Sequence, residues 1–423
     1  MSDCAPLRPA RRTHSVCSSC DGRSTRTQED GATEWEVEAP ITFQYRVREC
    51  ADVFDPESDV LILGHITDPT DLMRAKLRPL KRVVVVDDQV YSLYGERIEA
   101  YFAAHNVTTR MMVLPTTEEN KNIELALQIA EEIHELGIDR RLDPVIAIGG
   151  GVCMDIVGFA ASIYRRRTPY VRVPTTLMGY VDASVGAKSG VNFETKSDGW
   201  RKNKLGCYLP PALAILDRTF LASLDSRQLA NGAAEIMKMA LVKDPELFDL
   251  LERHGPQLIA HKFQQIPGEA DGAEAPSRVL FLAIQTMLEE LAPNLWEDSL
   301  ERLVDFGHVF SMELEMAELH QNKLFHGEAV AIDMAFCTVL AFVRGQISAE
   351  ERDRVLNAMK GLELPVYHPK FDEAMCDEAL YERVKFSSGQ KIPLPTALGR
   401  SHLFNDISMD EVREALELWP LLV

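Results

Sequence analysis

The chain has 423 residues, 46% of them hydrophobic, which exceeds a single core and suits two globular domains. A formal net charge of −20 disfavours non-specific binding to nucleic acid or to an anionic membrane. No apolar run approaches the roughly 18–20 residues of a membrane span, and the polar, Arg-rich N-terminus lacks the apolar stretch of a signal peptide, so the expected location is the cytoplasm.

Residues 1–38 are rich in Arg, Ser, Thr and acids and poor in large apolar groups, which predicts a disordered tail. The eight cysteines are scattered and read as reduced thiols. Cys17-Ser-Ser-Cys20 has the spacing of half a zinc knuckle, but no second pair follows it.

From 39 to 215, short β-branched runs at 60–63, 82–86, 110–114, 145–148 and 170–173 alternate with helical stretches such as 122–136. This predicts an α/β nucleotide-binding domain with a mostly parallel sheet. From 216 to 423 strand signals vanish, and 229–242, 245–252, 278–289 and 327–344 read as helices of an all-helical domain. Residues 265–276, rich in Gly, Ala, Pro and acids, read as a surface loop.

Val145-Ile-Ala-Ile-Gly-Gly-Gly-Val-Cys-Met-Asp155 is a buried strand running into Gly149, Gly150 and Gly151 and then a helix. Glycines let backbone approach a pyrophosphate, and the helix start offers free N–H groups and a positive dipole. One glycine would serve a plain tight turn; three favour a nucleotide, although GxGxxG is absent. The run 83–86 ends in Asp87 and Asp88, and a carboxylate there suits the ribose hydroxyls of NAD rather than NADP.

The stretch 174–192 mixes Asp182, Lys188 and other polar groups with Val and Gly, as a packed wall does, and Arg201-Lys202-Asn203-Lys204 follows it. Such a cluster is what a phosphate ligand demands of an acidic chain. Glu235 and Lys238 share one face of an apolar helix, as a surface ion pair or as a functional couple. His308 and His326 each stand at the edge of an apolar helical stretch; with a helix-borne Glu they suggest an N/N/O metal site with positions open to substrate.

Together GGGxxxD, PTTxxxxxDxxxxxK, AExxK, GHxxxxxxE and HGEAV, in order between about residues 60 and 415, resemble the dehydroquinate synthase superfamily of sugar phosphate cyclases. The resemblance implies an α/β nucleotide domain with a helical domain, NAD and zinc (or cobalt) as cofactors, and a homodimer. It implies metal ligands at Glu235, His308 and His326. It implies cofactor contacts at Asp87, Glu118, Lys121, Gly149, Gly150, Gly151, Asp155, Thr175 and Thr176. Catalytic or substrate-binding roles fall to Asp182, Lys188, Lys202, Asn203 and Lys238, with Arg166 reaching a phosphate towards the partner subunit.

Three positions depart from dehydroquinate synthase itself. Met312 replaces a second His, Asp305 replaces an Asn, and the segment 386–389 replaces a Lys near the C-terminus. These changes argue against a carboxylate-bearing substrate. The chain is more similar to the sedoheptulose 7-phosphate cyclases, as are the segments 190–194 and 293–297. Leu291 and Asp305 disfavour the desmethyl-4-deoxygadusol type. Met312 and Phe386, read as substrate-pocket positions, break the 2-epi-5-epi-valiolone pattern, so the 2-epi-valiolone type is expected and its 5-epimer is the alternative. The implied cycle is transient oxidation by NAD, phosphate elimination, re-reduction and aldol closure. The rivals are 3-dehydroquinate synthase, a metal-dependent polyol dehydrogenase, and a non-catalytic ligand-binding regulator on the same scaffold.

Overall fold

The computed structural model describes residues 16–18, 23–29, 32–38, 41–196, 199–268, 272–318 and 324–423. The chain divides into two compact units, one of residues 1–174 with 187–217, the other of 175–186 with 218–423. The segment 175–186 was expected inside the α/β domain and belongs instead to the helical unit. Glycine explains that membership: a Cβ on Gly232 would lie 2.5 Å from both Leu177 Cβ and Met178 N, so only a bare backbone lets the two segments meet.

The first unit opens with β1 (Val16–Ser18), β2 (Arg23–Glu29), β3 (Ala32–Glu38), β4 (Ile41–Phe43) and β5 (Arg46–Cys50). Part of the tail expected to be disordered therefore forms strands. β2 and β3 pair antiparallel from Glu29↔Ala32 outward, around the dipeptide Asp30-Gly31, a strong hairpin signal that a composition argument overlooks. Residues 1–15 and Cys20 lie outside the described residues, as does the side chain of Cys17.

There follow α1 (Val60–Leu63), α2 (Pro69–Lys76), β6 (Lys81–Asp87), α3 (Asp88–Ala104), β7 (Thr108–Leu114), α4 (Ile123–Leu136), β8 (Val145–Gly149), α5 (Gly151–Ile163), β9 (Tyr170–Pro174), β10 (Lys188–Thr195), β11 (Gly199–Tyr208) and β12 (Leu213–Asp217). Residues 60–63 form a short buried helix rather than the expected strand, because four consecutive apolar residues carry no period to distinguish the two. The main sheet is parallel throughout, in the order β5-β12-β9-β8-β6-β7. Val83, Val85, Val145 and Ala147 from its centre pack with Ala126, Ile129 and Ile133 of α4 and Ile156, Val157 and Ala160 of α5. β10 and β11 form a separate antiparallel hairpin beside α5.

The second unit holds α6 (Ser226–Val242), α7 (Pro245–Ala260), α8 (Ala275–Leu291), α9 (Ser311–Glu318), α10 (His326–Val343), α11 (Ala349–Gly361) and α12 (Glu373–Ser387), then β13 (Ile392–Ala397), β14 (Arg400–Phe404) and α13 (Met409–Leu418). Helix starts follow side-chain capping: Asp225 accepts from Gln228 N, and Asp244 accepts from Leu247 N with Pro245 behind it. The β13–β14 hairpin corrects the all-helical expectation. Pro393 and Pro395 hid it, since proline weakens a strand signal yet is tolerated in a two-stranded ribbon. Helix α10 is long and apolar enough to cross a membrane by composition, contrary to the sequence reading, but 78% of it is buried inside the protein, as a core helix is. Phe310, Phe336, Phe371 and Trp419 stack edge-to-face or tilted around it.

Gly232→Ala should lower stability by about 1–3 kcal/mol through overpacking against Leu177 and Met178, read as a fall in urea midpoint at unchanged m-value. A midpoint equal to that of the parent would show that this contact yields freely.

Candidate nucleotide and metal sites

In the first unit the chain runs outward from β6 to β7 and then returns to place β8 on the other side of β6. The crevice at such a reversal, beyond the carboxyl ends of the strands, is where open α/β sheets bind nucleotides. Asp87 ends β6 and Gly149 ends β8. A Cβ on Gly149 would come within 2.7 Å of Cys153 Cβ and 3.2 Å of Asp87 Cβ. Gly150 is the N-cap of α5 and supplies no side chain to the first turn, so that helix start keeps backbone N–H groups for an anion. Asp87 accepts from the N–H groups of Gln89 (3.1 Å) and Val90 (3.3 Å) and from the Thr116 hydroxyl, which fixes its carboxylate at the switch point.

Several residues that sequence reasoning placed in separate roles form one network in this unit. Lys121 Nζ is 2.5 Å from Asp155 Oδ2 and donates to Asn203 Oδ1 at 2.7 Å. Asn192 ties them together: its Nδ2 donates to Glu118 Oε1 (2.8 Å), its Oδ1 accepts from Asn203 N (2.8 Å), and its own N–H reaches Lys121 O (2.7 Å). The hairpin is irregular at Asn192, between Val191 and Phe193, and Asn203 has φ +52°, a conformation that asparagine tolerates. Sequence reasoning did not assign Asn192 a role; its signals were its place at the end of the polar stretch 174–192 and in the segment 190–194. Lys188 is exposed at the start of β10, Lys202 is half-buried on β11, and Arg166 is exposed with φ +68°.

The second unit brings Glu235, His308 and His326 together, one potential ligand atom from each lying within 4.8 Å of the others. Glu235 Oε1 is 3.7 Å from His308 Nε2 and 3.6 Å from His326 Nε2. Each imidazole is held by its other nitrogen: His308 Nδ1 pairs with Phe306 O (3.1 Å) and His326 Nδ1 with Glu315 Oε2 (3.2 Å). This leaves both Nε2 atoms facing the carboxylate, as in metal-binding histidines whose other ring nitrogen is held by a carbonyl or carboxylate.

Glu235 Oε1 is buried with no hydrogen-bond donor, an orphaned charge that a divalent cation would satisfy. Burial and the Lys238 charge push His308 down to about 3, so the ring is neutral and its lone pair is available. The residues present therefore fit a zinc-type ion.

Glu235 and Lys238 are both buried, which excludes the exposed ion pair left open by sequence. Burial alone would raise the Glu235 carboxyl, but Lys238 and the two histidines outweigh it and hold it at about 2. Lys238 keeps its charge against burial because Glu235 and Asp182 face it. Two glycines permit the geometry. A Cβ on Gly327 would lie 1.9 Å from Asn231 O, so α6 and α10 meet this closely here only because residue 327 lacks a side chain, and Gly327 N donates to Asn231 Oδ1 at 2.7 Å. Gly307, at φ +74°, turns the chain into His308 against Val330 and Met334.

Other expected residues have different surroundings. The Asp305 carboxylate is held by Arg302 and by Arg383 (3.0 Å); burial opposes its charge, but the two guanidiniums win and keep its pKa low. Thr175 is buried with its hydroxyl unpartnered, and the Thr176 hydroxyl accepts from Gly179 N (3.1 Å). Asp182 sits in the turn Gly179–Ala183. Met312 is exposed on α9, and the side chain of Phe386, at the end of α12, lies outside the described residues.

The chain matches the 3-dehydroquinate synthase N-terminal family over residues 111–231 and its C-terminal family over 232–385. It is 46% identical over 391 residues to 2-epi-5-epi-valiolone synthase of Streptomyces hygroscopicus subsp. jinggangensis, covering 92% of this chain and 90% of that one. It is 32% identical over 368 residues to 2-epi-valiolone synthase of Actinosynnema mirum, covering 86% and 92%. Among solved structures it resembles ValA of the same Streptomyces strain, a 2-epi-5-epi-valiolone synthase with NAD+ and Zn2+ bound, at TM-score 0.81 and 44% identity, covering 92% of this chain and 99% of that one. The chain belongs to the 3-dehydroquinate synthase family of sugar phosphate cyclases.

Metal-stripped protein should take up one zinc or cobalt ion per chain, and Glu235→Gln or His308→Ala should weaken that uptake by more than about 100-fold in chelator competition. Unchanged uptake in both variants would rule out the triad as the binding site.

Proposed function

We propose that this protein is an NAD- and metal-dependent lyase that cyclises sedoheptulose 7-phosphate with loss of phosphate. The observation that carries the reading is the Glu235–His308–His326 triad, its carboxylate buried and its imidazoles half-buried, beside a charged, buried Lys238, on a chain similar over nine-tenths of its length to valiolone-type synthases. Relatives at 44–46% identity bear the name 2-epi-5-epi-valiolone synthase, and those at 32–34% bear the name 2-epi-valiolone synthase. That ordering supports 2-epi-5-epi-valiolone as the product. Met312 and Phe386 support 2-epi-valiolone, the product expected from sequence, which stays the second reading.

The α/β unit would serve NAD and lend basic residues to the substrate, and the helical unit, which includes 175–186, would serve the metal and the rest of the substrate. When bound, NAD supplies a hydride acceptor and donor, and the divalent ion a Lewis acid. Gly149, Gly150, Gly151 and the first turn of α5 would hold the pyrophosphate, with Asp87 on the ribose and Glu118, Lys121, Asp155, Thr175 and Thr176 around the dinucleotide. Glu235, His308 and His326 would hold zinc or cobalt. Lys188, Lys202, Asn203 and Arg166 would neutralise the substrate phosphate. Lys238, kept protonated by Glu235 and Asp182, is suited to donate to an oxygen that gains negative charge. The held carboxylate of Asp305 offers a fixed acceptor for a substrate hydroxyl. A homodimer in the cytoplasm, acting on small molecules alone, completes the reading.

Incubation with sedoheptulose 7-phosphate, NAD and zinc or cobalt should release one phosphate per cyclitol with no net NADH, and NMR of the product should distinguish the two epimers. NADH accumulating without phosphate would overturn the cyclase in favour of a polyol dehydrogenase. Lys188→Ala should lower kcat/KM by about 100-fold or more, the scale of a lost charge-stabilising contact; full turnover would remove Lys188 from the machinery.

A further inference from the structure

From Ala329 to Val343, helix α10 contains a single charged residue, Asp333. Its side chain is fully buried. A carboxylate there carries a desolvation cost that an alanine or valine would avoid, and burial duly pushes its pKa up. Its oxygens are nonetheless specifically engaged. Oδ2 accepts the N–H groups of Phe310 (2.6 Å) and Ser311 (2.9 Å), and the Cys337 thiol, one turn further along α10, lies 3.2 Å from Oδ1.

Phe310 and Ser311 follow His308 by two and three residues and open α9. The same helix carries Glu315, which orients His326. Asp333 thus ties to α10 the segment that supplies one histidine and the support of the other. Gly307 packs against Val330 and Met334 on the same helix, so the turn is held on both sides of His308.

We propose that Asp333 is a positioning residue for the metal centre: its hydrogen bonds to the N–H groups of Phe310 and Ser311 lock the turn through His308 in its ligating position before an ion arrives. The role rests on the reading of Glu235, His308 and His326 as metal ligands. It predicts that the carboxylate acts through acceptor geometry, so an amide of the same shape largely substitutes for it.

The test compares Asp333→Ala with Asp333→Asn. Zinc affinity would be measured by chelator competition, site geometry by the visible absorption of the cobalt-loaded protein, and stability by the Tm of the metal-free protein. Asp333→Ala should weaken zinc binding by about 10- to 100-fold and alter the cobalt bands, while Asp333→Asn stays within about threefold of wild type. A folded Asp333→Ala variant with wild-type affinity and an unchanged cobalt spectrum overturns the proposal, however far its Tm falls. If that variant does not fold, hydrogen exchange of the metal-free wild-type protein decides. The Phe310 and Ser311 amides should be protected as in the zinc-loaded protein, and free exchange there overturns the proposal. Wild-type protein that takes up neither ion would overturn the metal reading itself and this role with it. Normal uptake alongside an unaffected Asp333→Ala would overturn the role of Asp333 alone.

Discussion

A carboxylate removed from water as fully as Glu235 must be met by positive charge, and the second unit is arranged around that requirement. Lys238 lies one turn along the same helix and supplies part of the charge, while two imidazoles turn their Nε2 atoms to the remaining oxygen. His326, at the start of α10, could not come this close to Glu235 if a side chain at Gly327 held α10 off Asn231 of α6, and Gly232 in the same way lets the segment at Leu177 and Met178 pack on α6. Polar chemistry at the centre thus depends on the absence of Cβ atoms at a few flanking positions.

The nucleotide unit follows a different logic, in which topology comes before side chains. A parallel sheet whose order reverses between β6 and β8 opens a crevice whatever residues line it. Gly149 closes the turn after β8 tightly, where a Cβ would meet Cys153 and Asp87. The network of Glu118, Lys121, Asp155, Asn192 and Asn203 extends from the first turns beside that crevice to the β10–β11 hairpin. Residues assigned to the cofactor and to the substrate therefore share hydrogen bonds, and a change in either set would be felt by the other.

Much of this was legible from residues alone, for identifiable reasons. Strands β6, β8 and β9 are apolar runs bounded by polar or glycine residues, and helix α4 carries both its period and its Asn122 cap. The candidate ligand set stood out only in combination: one His at an apolar helix edge is usually structural, and Glu235 with Lys238 could be a surface pair, but two His with a helix-borne Glu and a basic cluster suggest a metal site. The errors also have physical causes. Residues 60–63 are too few to show a period, Pro393 and Pro395 concealed a ribbon, and the composition of the tail outweighed its Asp-Gly turn signal. Asn192 and Asp333 escaped notice because a lone amide or acid in a strand or helix is common, and their importance lies in which backbone groups they meet.

By itself the sequence determined the alternation of strands and helices, the glycine turn, the family motifs and the candidate ligands, since each depends on residues close together along the chain. Only the tertiary structure decided that Glu235 and Lys238 are buried rather than a surface pair, and that segment 175–186 joins the helical unit. It also decided that Asp305 is clamped between Arg302 and Arg383, and that Asp333 reaches the turn after His308. These are matters of desolvation and of contacts between distant segments: an apolar run announces its own burial, but the burial and partners of a charged side chain are not encoded in its local pattern.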